Sequence, residues 1–156
     1  PFIPSALFSS LSNLMVAPNK YIFWSFCVGV MILIFLKSTN RDINLREIFW
    51  ITYLFVISLV EEITFRLSIP LVAKEFFGIG LFWFYVFLSN ILFAIIHYFT
   101  LRWKIRACIL AFLGGMAFSR LFETTEDLAL VIILHWAITF LNTPTPPKIE
   151  NLAMKN

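Results

Sequence analysis

The chain has 156 residues, of which 60% are hydrophobic and 13% charged, with 12 Lys and Arg against 9 Asp and Glu for a net charge of +3. Soluble domains run at about 45–50% apolar and about 25% charged, and a water-soluble fold of this length cannot hide so much apolar surface, including 19 Phe. The composition excludes a soluble domain and points to an all-α, polytopic transmembrane helix bundle. So modest a charge excludes a nucleic-acid footprint.

At roughly 20 residues per crossing, this length holds five or six spans with short loops. The expected organisation is one transmembrane helical domain over residues 1–142 and a polar C-terminal tail over 143–156. Residues 2–17 are apolar but broken by Pro4 and four serines, which fits an interfacial helix or the remnant of a further span. No cleavable signal pattern opens the chain, and a start at Pro1 fits either processing or a piece of a longer protein. The first clear span, 21–36, carries no charge and closes in the polar run 37–42. The second enters near Arg46 and Glu47 and runs uncharged over 48–60. It continues into Glu61-Glu62-Ile63-Thr64-Phe65-Arg66 and is expected to stop near Pro70, which lacks the N–H of the helical ladder. The third stretch, 76–101, is long for one crossing, and Gly78 and Gly80 predict a break before a main helix over about 81–100.

The fourth span runs from Ile105 to about Phe122 and carries Ala111, Gly115 and Ser119, a stripe of small residues that lets a neighbour approach closely. The fifth covers 128–142 and contains His135, and the Pro-rich run 143–147 ends it. Cys27 and Cys108 both fall within apolar stretches and read as small buried hydrophobes rather than a disulfide framework. Lys37, Arg41, Arg46, Arg102, Lys104, Arg106, Lys148 and Lys155 all fall on one side of a five-span topology. The positive-inside rule assigns that side to the cytoplasm.

Ionisable groups at membrane depth cost roughly 2.5–3.5 kcal/mol each on insertion scales, yet Glu61, Glu62, Arg66, His97 and His135 lie in or near the apolar spans. On a helix, Glu62 and Arg66 share a face and can pair, which lowers the cost of burying both. Glu61 is rotated about 100° from Glu62, so one carboxylate is neutralised structurally while the other stays available as a general base. Phe93 and His97 share a face on the third span. His135, Thr139 and Asn142 form a polar stripe on the fifth. A salt-bridge cluster at a helix end and interhelical hydrogen bonding are the structural readings of these segments taken singly. Together, a carboxylate to deprotonate water, one His to position it, and a second His with a hydroxyl to hold an oxyanion make the parts of a hydrolytic site. Ser58 and Ser89 also lie in spans, but nothing pairs either with a His as a nucleophile. One geometric condition follows: Glu61 and His97 both sit toward the ends of antiparallel helices. They meet only if the second helix runs past Arg66 or the Gly78 break shifts the third.

These residues resemble the signature of the CAAX protease and bacteriocin-processing (Abi) family of intramembrane glutamic proteases, whose motifs are Glu-Glu-x-x-x-Arg, Phe-x-x-x-His and His-x-x-x-Asn on successive membrane helices. Here they read Glu61-Glu62-x-x-x-Arg66, Phe93-x-x-x-His97 and His135-x-x-x-Thr139, with a Gly114-Gly115 pair before the last, over roughly residues 48–142. The resemblance implies Glu61 as the base that activates water, His97 as its second ligand and His135 as the oxyanion donor, with Glu62 and Arg66 supporting. Phe93 and Asn142 are the further supporting candidates. The family's Asn is here Thr139, whose hydroxyl donates one hydrogen bond. Asn142 lies about 10 Å further along the axis than His135. The implied activity is a CAAX-type peptidase that uses neither a metal nor another cofactor. Its expected partners are membrane lipids and a prenylated or hydrophobic peptide, with no nucleic acid.

Three other readings use the same residues: a metal-dependent membrane protease, a non-catalytic binding or bacteriocin-immunity protein of the same fold, and a small proton-relay transporter. The absence of a His-Glu-x-x-His spacing counts against the first, and the absence of an inverted repeat against the last. Short loops and the lack of an organelle signal point to a bacterial inner membrane.

Overall fold

The computed structural model describes residues 2–143 and 145–146, with the backbone alone at 2–4 and 6. The expected polar tail therefore falls almost wholly outside the described residues. Among these the chain is all helical: α1 (Phe2–Val16), α2 (Pro18–Ser38), α3 (Leu45–Glu62), a π-helical segment (Ile63–Ser68), α4 (Ile69–Phe77), a 3-10 turn (Ile79–Leu81), α5 (Phe82–Leu101), α6 (Ile105–Thr125) and α7 (Leu128–Asn142). Four helical stretches are long and apolar enough to cross a membrane, Pro18–Ser38, Leu45–Phe77, Ile79–Leu101 and Ile105–Thr125, with shorter apolar helices at Leu7–Val16 and Leu128–Asn142. Their outward faces carry large apolar side chains such as Phe26, Phe49, Phe76, Phe99 and Leu110. That surface belongs in hydrocarbon and could not be left in water.

α7 begins and ends as the sequence predicts. At 15 residues it is about 22 Å long, short for a crossing, and it forms the inner post of the bundle. Leu128, Leu130, Val131, Ile132, Ile133, His135 and Phe140 are all buried on it. α2 packs against one side of α7 through Tyr21, Val28, Ile32 and Leu36, which join Leu54, Ile133 and Phe140 in one apolar cluster. α3 packs along another side, and Leu67 closes a second cluster with Leu128 and Ile132. The short turn after α5 returns the chain as α6, antiparallel and in extensive contact with it.

The second span departs from expectation. Pro70 does not end it: the helix runs on from Leu45 to Phe77, and the π-helical register explains how. The Ile69 N–H donates to the Thr64 carbonyl, so the Phe65 carbonyl has no donor from Ile69, and Pro70 has no N–H to offer it. The Ser89 hydroxyl of α5 supplies the missing donor, 2.7 Å from the Phe65 oxygen. A single hydroxyl from the next helix thus meets the acceptor that the proline strands. Glu61 and Glu62 consequently sit in mid-helix, not at an end. The predicted break does occur at Gly78, whose φ of +90° is open to glycine at little cost.

Candidate active site

The π-helical segment, α5 and α7 bring together the ionisable side chains that the sequence singled out. Glu62 and Arg66 are completely buried side chains with Glu62 Oε1 3.2 Å from Arg66 Nη2, so the predicted pair forms, as a charge contact. Burying both ions is tolerable only because each lies against the other. Glu62 Oε1 also lies 2.6 Å from His135 Nδ1, and this fixes the ring of His135 with Nε2 turned outward. Glu61 is the more open carboxylate, with 19% of its side chain exposed. Its Oε1 is 3.6 Å from His97 Nε2 and its Oε2 is 3.5 Å from His135 Nε2. The geometric condition on the site is met because the helix continues past Arg66 and carries Glu61 to the level of His97.

The tautomer of His97 follows from its partner. Nδ1 lies 2.8 Å from the Phe93 carbonyl, an acceptor, so Nδ1 carries the proton and neutral His97 presents a lone pair at Nε2. Phe93 is the hub of the aromatic packing. Its ring meets His97 at 4.4 Å, His135 at 6.0 Å and Phe65 at 5.2 Å between centroids, and the Arg66 guanidinium stacks on it at 4.6 Å. Trp103, in the α5–α6 turn, packs over His97 at 4.8 Å, and Phe118 of α6 lies against His135 at 5.3 Å.

Thr139 lies one turn beyond His135, and its hydroxyl oxygen accepts from Ser58 at 3.3 Å. Asn142 is exposed at the last residue of α7 and makes none of these contacts. Three further residues complete the surroundings. Ser58 lies one turn before Glu62, and Ser89 holds the Phe65 carbonyl. Asn90 is fully buried, and its Nδ2 donates to the Val86 carbonyl and to Ser119 Oγ. Each was legible as a polar position on a face shared with a site residue: Ser58 with Glu62, Asn90 with His97. Among the described residues no His, Cys, Asp and Glu side chains form a group of three or more that could hold a metal ion.

The fold and the site define a helical membrane protein whose interior holds two carboxylates, two imidazoles and a guanidinium. The family described as type II CAAX prenyl endopeptidase Rce1-like matches residues 44–141, and the chain belongs to that family. No curated protein and no solved structure matches it. Membership, with the apolar helices, makes this an integral membrane protein and a peptidase of the CAAX type.

Proposed function

We propose that the chain hydrolyses a peptide bond of a lipidated or membrane-associated peptide in a bacterial inner membrane, with Glu61 as base and no covalent intermediate. The observation that carries this reading is the convergence of His97 Nε2 and His135 Nε2 on the two oxygens of Glu61, at 3.6 and 3.5 Å. Those separations are too long for direct hydrogen bonds and suit a water held among the three groups. The water donates one hydrogen to Glu61 and the other to the lone pair of His97 Nε2, which leaves an oxygen lone pair aimed at the scissile carbonyl. Glu61 takes the first proton as the oxygen adds to the carbonyl carbon. His135, held at Nδ1 by Glu62, donates from Nε2 to the oxyanion when it carries a proton there, and the Thr139 hydroxyl is the second donor. Glu61 then passes its proton to the leaving nitrogen, the C–N bond breaks, and a carboxylic acid and an amine are released. Arg66 balances the charge of Glu62 from the buried side.

The test is the Glu61→Gln variant of the detergent-purified protein. It is assayed beside wild type on a farnesylated CAAX peptide and a panel of hydrophobic peptides, with and without chelator. Loss of a general base costs about 10²–10⁴-fold, so the variant should fall at least about 100-fold, with wild type indifferent to chelator. Full activity in Glu61→Gln, or a wild type inert on every peptide, would sink the reading. The non-catalytic binding or immunity protein of the same fold would then take its place. Loss of wild-type activity with chelator, restored by metal, would instead support the metal-dependent route.

A further inference from the structure

A second cavity lies behind the site. It has a volume of about 410 Å³, and Arg66, Val86 and Ser119 line its inner part while Trp83, Glu123 and Glu126 line its mouth. The cavity belongs to the first turns of α5 and the last turns of α6. Because α5 and α6 are antiparallel and joined by a short turn, its mouth is at the end of the bundle opposite that turn, away from Trp103 and His97. We propose that this cavity is a water-filled vestibule, a second aqueous entrance to the bundle that hydrates Arg66 from the face opposite the α5–α6 turn.

The argument rests on what the inner wall offers. Nε, Nη1 and Nη2 of Arg66 and Oδ1 of Asn90 are buried without a hydrogen-bond partner among the described residues, although the Arg66 side chain is fully buried. A guanidinium carries five N–H donors and no acceptor. Leaving buried donors unmet in a low-dielectric interior costs several kcal/mol each. Much of the lining is apolar, so a lipid chain is the competing occupant, but it would leave those donors and the Asn90 oxygen unmet. An anion would meet the donors but would have to pass Glu123 and Glu126 at the mouth. Water meets both demands. It accepts from Arg66, donates to Asn90 and is indifferent to the carboxylates, and the cavity holds on the order of ten molecules at about 30 Å³ each. Gly115 keeps the two groups close: a Cβ there would lie 2.2 Å from Asn90 Oδ1 and 3.3 Å from Arg66 Nη2.

The vestibule divides the charges of the site between two environments. Solvent carries Arg66 on one side, Glu62 carries it on the other, and Glu61 opens toward the opposite side. The inference does not rest on the proteolytic reading, because its test measures solvent access and not activity. Single cysteines at Ser119, Val86 and Leu88 are introduced into a full-length chain with Cys27 and Cys108 replaced by Ala, reconstituted in liposomes. Each is exposed to a membrane-impermeant, positively charged methanethiosulfonate. Leu88 is 40% exposed on the outer, lipid-facing surface and is the control, because a thiol in hydrocarbon does not ionise. Ser119→Cys and Val86→Cys should react at least about tenfold faster than Leu88→Cys, and only from the face opposite the α5–α6 turn. Reaction at the rate of the Leu88 control, or only from the face of that turn, overturns the proposal and leaves the cavity to lipid. Two variants at separate positions keep the outcome readable if one fails to fold.

Discussion

The division of labour between Glu61 and Glu62 is set by one residue's rotation on a helix. Glu62 is held by Arg66 and His135 and sees no solvent, while Glu61 keeps a fifth of its side chain open and faces two imidazoles. Thr139 tests the oxyanion half of the arrangement. Its hydroxyl is an acceptor for Ser58, so its own proton is free to be donated. The Thr139→Val variant removes that donor at nearly constant shape. The loss of one oxyanion-hole donor costs about 10²–10³ in turnover, so a hydroxyl shared with Ser58 should cost about 10–100-fold in kcat with KM little changed. An unchanged kcat would remove Thr139 from the site and leave His135 as the sole donor. The charged members of this cluster were legible in the sequence because charges at membrane depth are expensive and stand out against an apolar background. Ser58, Ser89 and Asn90 were less legible. Small polar residues are common in membrane helices, and only the contact itself tells a structural hydroxyl from an idle one.

At the scale of the helix, the junction between the π-helical segment and α4 decides where Glu61 sits. Reading Pro70 as a stop was sound for an isolated helix, where the proline costs about 3 kcal/mol. It failed because α5 donates a hydrogen bond across the gap, and a donor on another helix leaves no mark in the local sequence. The Ser89→Ala variant strands the Phe65 carbonyl in a site without water and should destabilise the bundle by about 1–3 kcal/mol. That would be read as a lower midpoint in thermal unfolding in detergent, with Ser89→Thr retaining most of the loss. Equal midpoints for wild type and Ser89→Ala would show that the carbonyl needs no partner. Gly115 makes a second, independent case. A methyl there meets Asn90 Oδ1 at 2.2 Å, whereas at the neighbouring Gly114 nothing lies within 4 Å. Gly115→Ala should cost about 1–3 kcal/mol through overpacking and displace Arg66, with activity falling in parallel. Gly114→Ala should be neutral or slightly stabilising, because alanine is the better helix former. The small-residue stripe was legible in the sequence, but its partner was not: the close approach is to a buried Asn and Arg, not to another apolar ridge.

For the molecule as a whole, the region that matches the family begins at residue 44, so α1 and α2 must be tied to it by contacts of their own. One tie is apolar, the packing of α2 on α7. The other is Asp127, which caps α7 through the Leu130 N–H at 3.0 Å and accepts from Lys20 Nζ at 2.6 Å and the Tyr21 hydroxyl at 2.8 Å. Ser10 of α1 joins the same corner by donating to the Glu126 carbonyl and accepting from the Leu128 N–H. Burial by itself would raise the Asp127 pKa, but donation from Lys20, the Leu130 amide and Tyr21 outweighs it, and the carboxyl is held below its ordinary value. A carboxyl with a depressed folded pKa contributes stability that is complete above its unfolded value of about 3.9 and disappears as pH falls through the lower folded value. Asp127 should therefore add nothing to the pH dependence between about 5 and 7 and should steepen the loss of stability below about 4. The measurement is the thermal midpoint of the solubilised protein from pH 7 to pH 3, for wild type and for Asp127→Asn. The variant loses the charge and weakens the cap, about 1–2 kcal/mol, so its midpoint should lie lower by roughly 2–6 °C at pH 7. The two curves should converge as the pH falls below about 4, because protonation takes from the wild type what the substitution has already removed. Curves that stay parallel down to pH 3 would mean that Asp127 contributes through its shape and not its charge, and the tie between α2 and α7 would then rest on apolar packing alone.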